Sequence, residues 1–298
     1  MENINYIRTD LATECPPVEK NEQTDGITVY KKELLPASIT TVQITNENGE
    51  KAANKPMGTY VTVSFDKIWF ADDRLFNETA EIIAEEIRKL SDSMSGDNTF
   101  ENIMIVGLGN RYITSDAIGP QSIKGITVTR HIKSRDEELF KALKSKNVSA
   151  ITPGVIGQTG IETAELIKSA SENVRPDLIV VIDALASKSI DRLASTVQIS
   201  DTGLSPGSGI GNKNKAINKD TLGIPVIAIG VPTMVDSSTL VYDALEKAGI
   251  DDLCDELVQI LENGKRFFVT LNESDIVISS LARLISTAVN LAFSTEDI

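Results

Sequence analysis

Three stretches of this 298-residue chain are apolar almost without interruption: NIMIVGLG (102–109), LIVVIDALA (178–186) and IPVIAIGVP (224–232). They are short, rich in β-branched residues, and end in Gly, Asp or Pro. A strand with one wet face alternates apolar and polar residues, whereas continuous apolarity demands cover on both faces, as for a parallel strand in an α/β protein. Helical periodicity over ETAELIKSASENV (162–174) and VDSSTLVYDALEKAG (235–249) supplies that cover. SDIVISSLARLISTAVNLAFS (274–294) is apolar around much of its circumference and reads as a long helix closing the core. The pattern therefore predicts an α/β fold with a mostly parallel sheet flanked by helices.

The N-terminal part has a different texture. Residues 1 to about 26 are polar, contain Pro16-Pro17, and are too poor in apolar residues to form a core element alone, so they read as an arm. From 27 to 64 the runs ITVYKKELL, ITTVQITNENGEK and GTYVTVSF predict a small antiparallel β subregion, with Asn48-Gly49 as a hairpin turn. NETAEIIAEEIRKLSD (77–92) sets Ile82, Ile83, Ile87 and Leu90 on one face behind Asn77 as a capping residue, which predicts a helix.

Charge narrows the possible partners. With 29 Lys+Arg against 43 Asp+Glu the formal net charge is −14, which repels nucleic-acid phosphate and anionic lipid. Neither a direct nucleic-acid contact nor a membrane is expected. Cys15 and Cys254 lie far apart and form no CxxC pair, so there is no disulfide framework and no zinc signature. With no apolar stretch of signal-peptide length, the expectation is a cytoplasmic protein.

In a parallel sheet, chemistry collects beyond the carboxyl ends of the strands. The first apolar run leads into GLGNRYITSDAIGP, which carries Asp116, and the second contains Asp183 directly behind four apolar residues. Adjacent strands would bring the two carboxylates together. Either could instead be a helix cap, but Asp183 is costly to desolvate unless it is paired, hydrogen-bonded or protonated. GLGNRY lacks the third glycine of a dinucleotide fingerprint, and PGSGIGNKNK (206–215) breaks P-loop spacing, which leaves both as tight turns able to offer backbone donors to an oxyanion. Asp201-Thr202-Gly203 matches the short signature of all-β aspartic proteases but stands alone in an α/β context. His131, the one histidine, cannot furnish a zinc-hydrolase ligand set and is expected to be a partly buried, hydrogen-bonded residue beside Arg130.

Taken together, GLGNRYITSDAIGP, VTRH (128–131), ITPGVIGQTGIET (151–163), VIDALAS, QISDTGLSPGSGIGNK (198–213) and TLGIPVIAIGVPTMVD (221–236) resemble the germination proteases of endospore-forming bacteria. The resemblance runs from about Arg8 through Asp236, with a weaker echo at 269–292. It implies an atypical aspartic endopeptidase that degrades small acid-soluble spore proteins in the spore core, on a fold similar to the hydrogenase-maturation proteases. It places the catalytic aspartates at Asp116 and Asp183, sharing one proton over an activated water, with no metal or cofactor. By the same resemblance Gly207, Gly209 and Gly211 line the cleft or supply oxyanion donors, and the enzyme is a homotetramer. It is also made as a zymogen whose leader, residues 1–10, is removed between Asp10 and Leu11, leaving 11–298 as a single α/β domain. Ser115 stands where the family usually has proline, and Lys188 and Asn214 where arginines are common. The segment 250–268 is shorter than in longer relatives. A metal-assisted maturation-type endopeptidase and a non-enzymatic binding module are the alternatives.

Overall fold

The computed structural model describes residues 8–206, 215–250, 253–263 and 267–295. Among the described residues nine strands form one sheet: β1 (Ile27–Leu34), β2 (Ala37–Ile44), β3 (Gly58–Phe65), β4 (Asn102–Gly107), β5 (Asn147–Ile151), β6 (Leu178–Ala186), β7 (Thr196–Ser200), β8 (Val226–Asp236) and β9 (Phe268–Val269). Their order is β1-β2-β3-β7-β8-β6-β4-β5, with β9 paired to β8. The three apolar runs are β4, β6 and β8, which are parallel neighbours, and β5 extends the parallel unit. The antiparallel strands of 27–65 do not form a sheet of their own but join the main sheet through β3 and β7.

Helices cover both faces. Asp73–Ser95 and Ser274–Ala292 pack Ile83, Ile87, Leu281 and Ile285 against residues such as Ile105 and Val180 on one face. On the other, Ala164 and Ile167 of Thr163–Val174 lie over Met104, Val106, Ile179 and Val181. Each fully buried Leu or Ile contributes about 1.5–3 kcal/mol by leaving water. By length and composition Ser274–Ala292 could cross a membrane, yet Val277, Ile278, Leu281 and Leu284 are buried in this core.

The structure corrects three local expectations. Asn48-Gly49 makes no hairpin turn: it lies in the helix Glu47–Ala53, whose Asn46 side chain accepts from Gly49 N at 2.9 Å and so starts a helix where a turn was expected. The long helix begins earlier than expected, because Asp72 Oδ1 accepts from Leu75 N at 2.8 Å, which leaves Asn77 exposed inside it. Residues 11–18 are no free arm: Ala12, Cys15 and Val18 pack with Val42, Ile44 and Tyr60 in a third apolar cluster. Too few to make a core themselves, they borrow apolar surface from β2 and β3.

The capping assignment is directly testable. Asp72→Ala should cost about 0.5–2 kcal/mol of stability in urea denaturation, whereas Asn77→Ala should stay within about 0.5 kcal/mol.

Candidate active site

Residues in register on neighbouring strands project to the same face of a sheet. The face that carries Ile179 and Val181 on β6 and Val226 and Ala228 on β8 is apolar until Asp183, which pairs in register with Gly230, which in turn pairs with Gln198 of β7. At that row the apolar layer gives way to a cleft of about 420 Å³ whose lining includes Asp10, Tyr60, Asp183, Gln198, Ser200 and Gly230. A Cβ on Gly230 would come within 2.3 Å of Leu185 Cδ1, so the floor between Asp183 and Gln198 admits no side chain.

Asp116 reaches the site from the loop after β4. It closes the 3-10 turn Thr114–Asp116, and its Oδ2 accepts from Asn110 N at 2.7 Å. Gly109 is required at the loop's entry, since its φ is +109° and a Cβ there would lie 2.0 Å from the Asp116 carbonyl oxygen. The loop is pinned to the neighbouring strands: Leu108 N donates to Ile182 O at 2.8 Å, and Thr233 Oγ1 donates to Ser115 O at 2.6 Å. Neither aspartate caps a helix. Asp183 lies within a strand that runs on to Ala186, and the helix after Asp116 has no side-chain cap.

Electrostatics set the two apart from ordinary carboxylates. Asp183 is only 6% exposed. Burial pushes its carboxyl well above the usual range, the Asp116 charge raises it further, the Ala184 N–H partly opposes this, and Asp10 adds a smaller upward push. Burial also raises Asp116, against the N–H of Asn110. Both shifts run the same way, so each carboxyl keeps its proton to higher pH than an ordinary aspartate, Asp183 the more strongly.

A stretch of the chain itself crosses this cleft. Asp10 N donates to Ala186 O and Ala186 N donates back to Asp10 Oδ2, both at 2.9 Å. Lys55 Nζ donates to Thr9 O at 3.2 Å, and Arg8 N to Thr239 Oγ1 at 3.0 Å. Gln198 Nε2 donates to Asp10 O at 3.0 Å, while Gln198 Oε1 accepts from Ala12 N at 2.7 Å. Leu11 and Ala12 are fully buried. Beyond them the buried Glu14 accepts from Lys188 N at 2.6 Å and Ser189 N at 3.0 Å, and also from Thr9 Oγ1. Lys188 itself is buried, bonded to Glu19 and Glu246 at 2.9 and 2.6 Å.

The other candidates fall elsewhere. Gly207, Gly209, Gly211 and Asn214 lie outside the described residues. His131 is exposed on the four-residue helix Arg130–Lys133 rather than partly buried, because that short helix turns it outward. Asp201 Oδ1 accepts from Thr59 N at 2.8 Å and ties β3 to the end of β7, while Thr202 and Gly203 line the cleft. Among the described residues no group of three or more His, Cys, Asp or Glu is arranged to hold a metal ion. Sequence reasoning missed Gln198 and Lys55. Gln198 did carry a signal, as the amide in the otherwise apolar and hydroxyl-bearing strand TVQIS.

Known proteins resemble this chain over most of its length. The family model for germination proteases matches residues 7–257. The germination protease of Caldanaerobacter subterraneus subsp. tengcongensis is 38% identical over 309 residues, covering 96% of this chain and 94% of its own length. That of Clostridium perfringens strain 13 is 42% identical over 273 residues, covering 90% and 81%. A nickel-iron hydrogenase maturation protease from Thermococcus kodakarensis KOD1 superposes with a TM-score of 0.31 and 20% identity, covering 59% of this chain and 99% of that one.

The burial of Asp183 has a consequence for stability. A carboxylate whose pKa is raised by folding contributes stability that is present below its unfolded pKa and is lost as pH rises through the folded value. Asp183→Asn should therefore raise the thermal midpoint by several degrees at pH 8, and the gain should shrink as pH is lowered and the native carboxyl takes up its proton. A pH series of thermal unfolding curves measures this; a gain that stays constant with pH would contradict the assignment.

Proposed function

The chain belongs to the germination protease family, and from that premise we propose that it hydrolyses peptide bonds through the Asp116–Asp183 pair. The chain is a spore-germination endopeptidase, as its family is. The aspartic mechanism is our reading, and one observation supports it: a buried carboxyl, Asp183 on β6, lines a cleft that residues 8–10 also line, and a second raised carboxyl, Asp116, follows the adjacent parallel strand β4 closely enough for its charge to act on Asp183.

Because burial raises Asp183 further than Asp116, we assign the base to Asp116: ionised, it takes a proton from a water whose oxygen attacks the carbonyl carbon. The protonated Asp183 donates a hydrogen bond to the carbonyl oxygen as the π pair moves onto it. The proton held by Asp116 then passes to the amide nitrogen, the C–N bond breaks, and an acid and an amine leave. A proton shared between two carboxyls suits this division of roles. The substrates we propose are small acid-soluble spore proteins, met in the spore core by a homotetramer.

We further read residues 1–10 as a leader whose last part, residues 8–10, lies across its own cleft, with the cut falling between Asp10 and Leu11. The bonds from Ala186, Lys55 and Gln198 to residues 9 and 10 support this. While it stays in place, a substrate chain has no access to the Asp183 row.

The test is incubation with a small acid-soluble spore protein, with fragments read by mass spectrometry, for the full chain and for one beginning at Leu11. Discrete fragments from the shorter form alone are expected. In that form Asp116→Asn and Asp183→Asn should each lower the rate by at least about a hundredfold, the usual scale for acid-base groups. Undiminished cleavage by both folded variants would refute the aspartate mechanism.

A further inference from the structure

A buried amide that grips a peptide on either side of one bond sits in the cleft. We propose that Gln198 is a catalytic residue that clamps the scissile peptide, its Nε2 polarising the attacked carbonyl and its Oε1 holding the chain beyond the bond. The proposal rests on the reading that the Asp10–Leu11 bond lies in the cleft as a substrate does.

Two observations carry it. Gln198 is 7% exposed, and both hydrogen bonds of its side-chain amide go to the segment in the cleft: Nε2 to Asp10 O at 3.0 Å and Oε1 from Ala12 N at 2.7 Å. The Asp10–Leu11 peptide bond is therefore spanned by one side chain, with its carbonyl held on one side and the N–H of the second residue beyond on the other. A buried amide is costly wherever it lacks partners, and here its partners come from the peptide and not from the sheet. Second, register aligns the clamp with the acid pair. Asp183, Gly230 and Gln198 form one row across β6, β8 and β7, with the Leu185 side chain lying over the glycine between them.

As the water oxygen bonds to the carbonyl carbon, the π pair moves to that oxygen and its negative charge grows. A hydrogen bond to a charged oxygen is stronger than one to a neutral carbonyl, so Nε2 stabilises the transition state more than the bound peptide. Loss of a single oxyanion donor typically lowers kcat by about 10²–10³. The Oε1 contact to Ala12 N fixes the register of the chain, which decides which bond faces Asp183.

The experiment follows the full chain at a series of pH values and records by intact mass the conversion to a product beginning at Leu11. Gln198→Met retains length and removes both hydrogen bonds. Gln198→Glu removes the donor while its carboxylate is ionised and restores it on protonation, since a carboxylic acid offers an O–H donor and a C=O acceptor. Thermal unfolding confirms that each variant is folded. The parent should convert, the Met variant should convert about a hundredfold more slowly or worse, and the rate of the Glu variant relative to the parent should climb as pH falls. Should the parent convert while the Met variant keeps pace, or the Glu ratio stay flat across pH, the clamp is overturned and the leader reading stands. Should the parent never be cut between Asp10 and Leu11, both are overturned.

Discussion

A carboxylate held almost out of water on the face of a sheet is the constraint on which the rest of this structure turns. Asp183 continues the row of Ile179 and Val181, and apolar residues fill the layers behind it. Such a group is tolerated where hydrogen bonds and a retained proton meet the cost of desolvation. Its surroundings supply both: the N–H of Ala184 as a donor, and a charge at Asp116 that favours keeping the proton. The parallel pairing of β4 with β6 makes the meeting possible, because it sets the loop after one strand beside the end of the next. The links from Leu108 to Ile182 and from Thr233 to Ser115 then hold that loop to the strands on either side.

The same row explains the cleft. Each strand places one residue on this face at the same height: Asp183 from β6, Gly230 from β8 and Gln198 from β7. An acid and an amide thus flank a position that has no side chain of its own and is overlain by Leu185. Residues 8–12 run beside this row, held by the two Asp10–Ala186 bonds and by side-chain bonds from Lys55 and Gln198. Glu14 anchors the stretch that follows, accepting from the backbone just beyond β6 at Lys188 and Ser189. The segment in the cleft and the strand bearing Asp183 are thus tied at both ends of the contact. A cut between Asp10 and Leu11 would separate the part held by Ala186 from the part buried with the body of the protein.

Much of this was legible in the sequence, for a physical reason. Uninterrupted apolar runs announce strands covered on both faces, and a polar residue at the end of such a run stands out, so Asp116 and Asp183 could be picked from the residue pattern. What escaped notice depends on pairings distant in sequence. Gln198 acquires meaning only through Gly230 on the antiparallel neighbour β8 and Asp183 on β6, which runs parallel to β8. Local signals failed where two suitable residues compete to start the same element. Asp72 caps the long helix ahead of Asn77, and Asn46 starts a helix across Asn48-Gly49. The stretch 11–18 looks too polar to pack because the apolar surface it needs belongs to β2 and β3.

The central claim is that Asp116 and Asp183 titrate as one pair, with Asp183 holding the proton. Carbon-13 NMR of the aspartate carboxyls in the folded chain, followed across pH with and without Asp116→Asn, measures it most directly. The account predicts that Asp183 keeps its proton well above the ordinary carboxylate range, and that replacing Asp116 moves its titration to lower pH. An Asp183 that titrates with the surface carboxylates, and does not move when Asp116 is replaced, would contradict it.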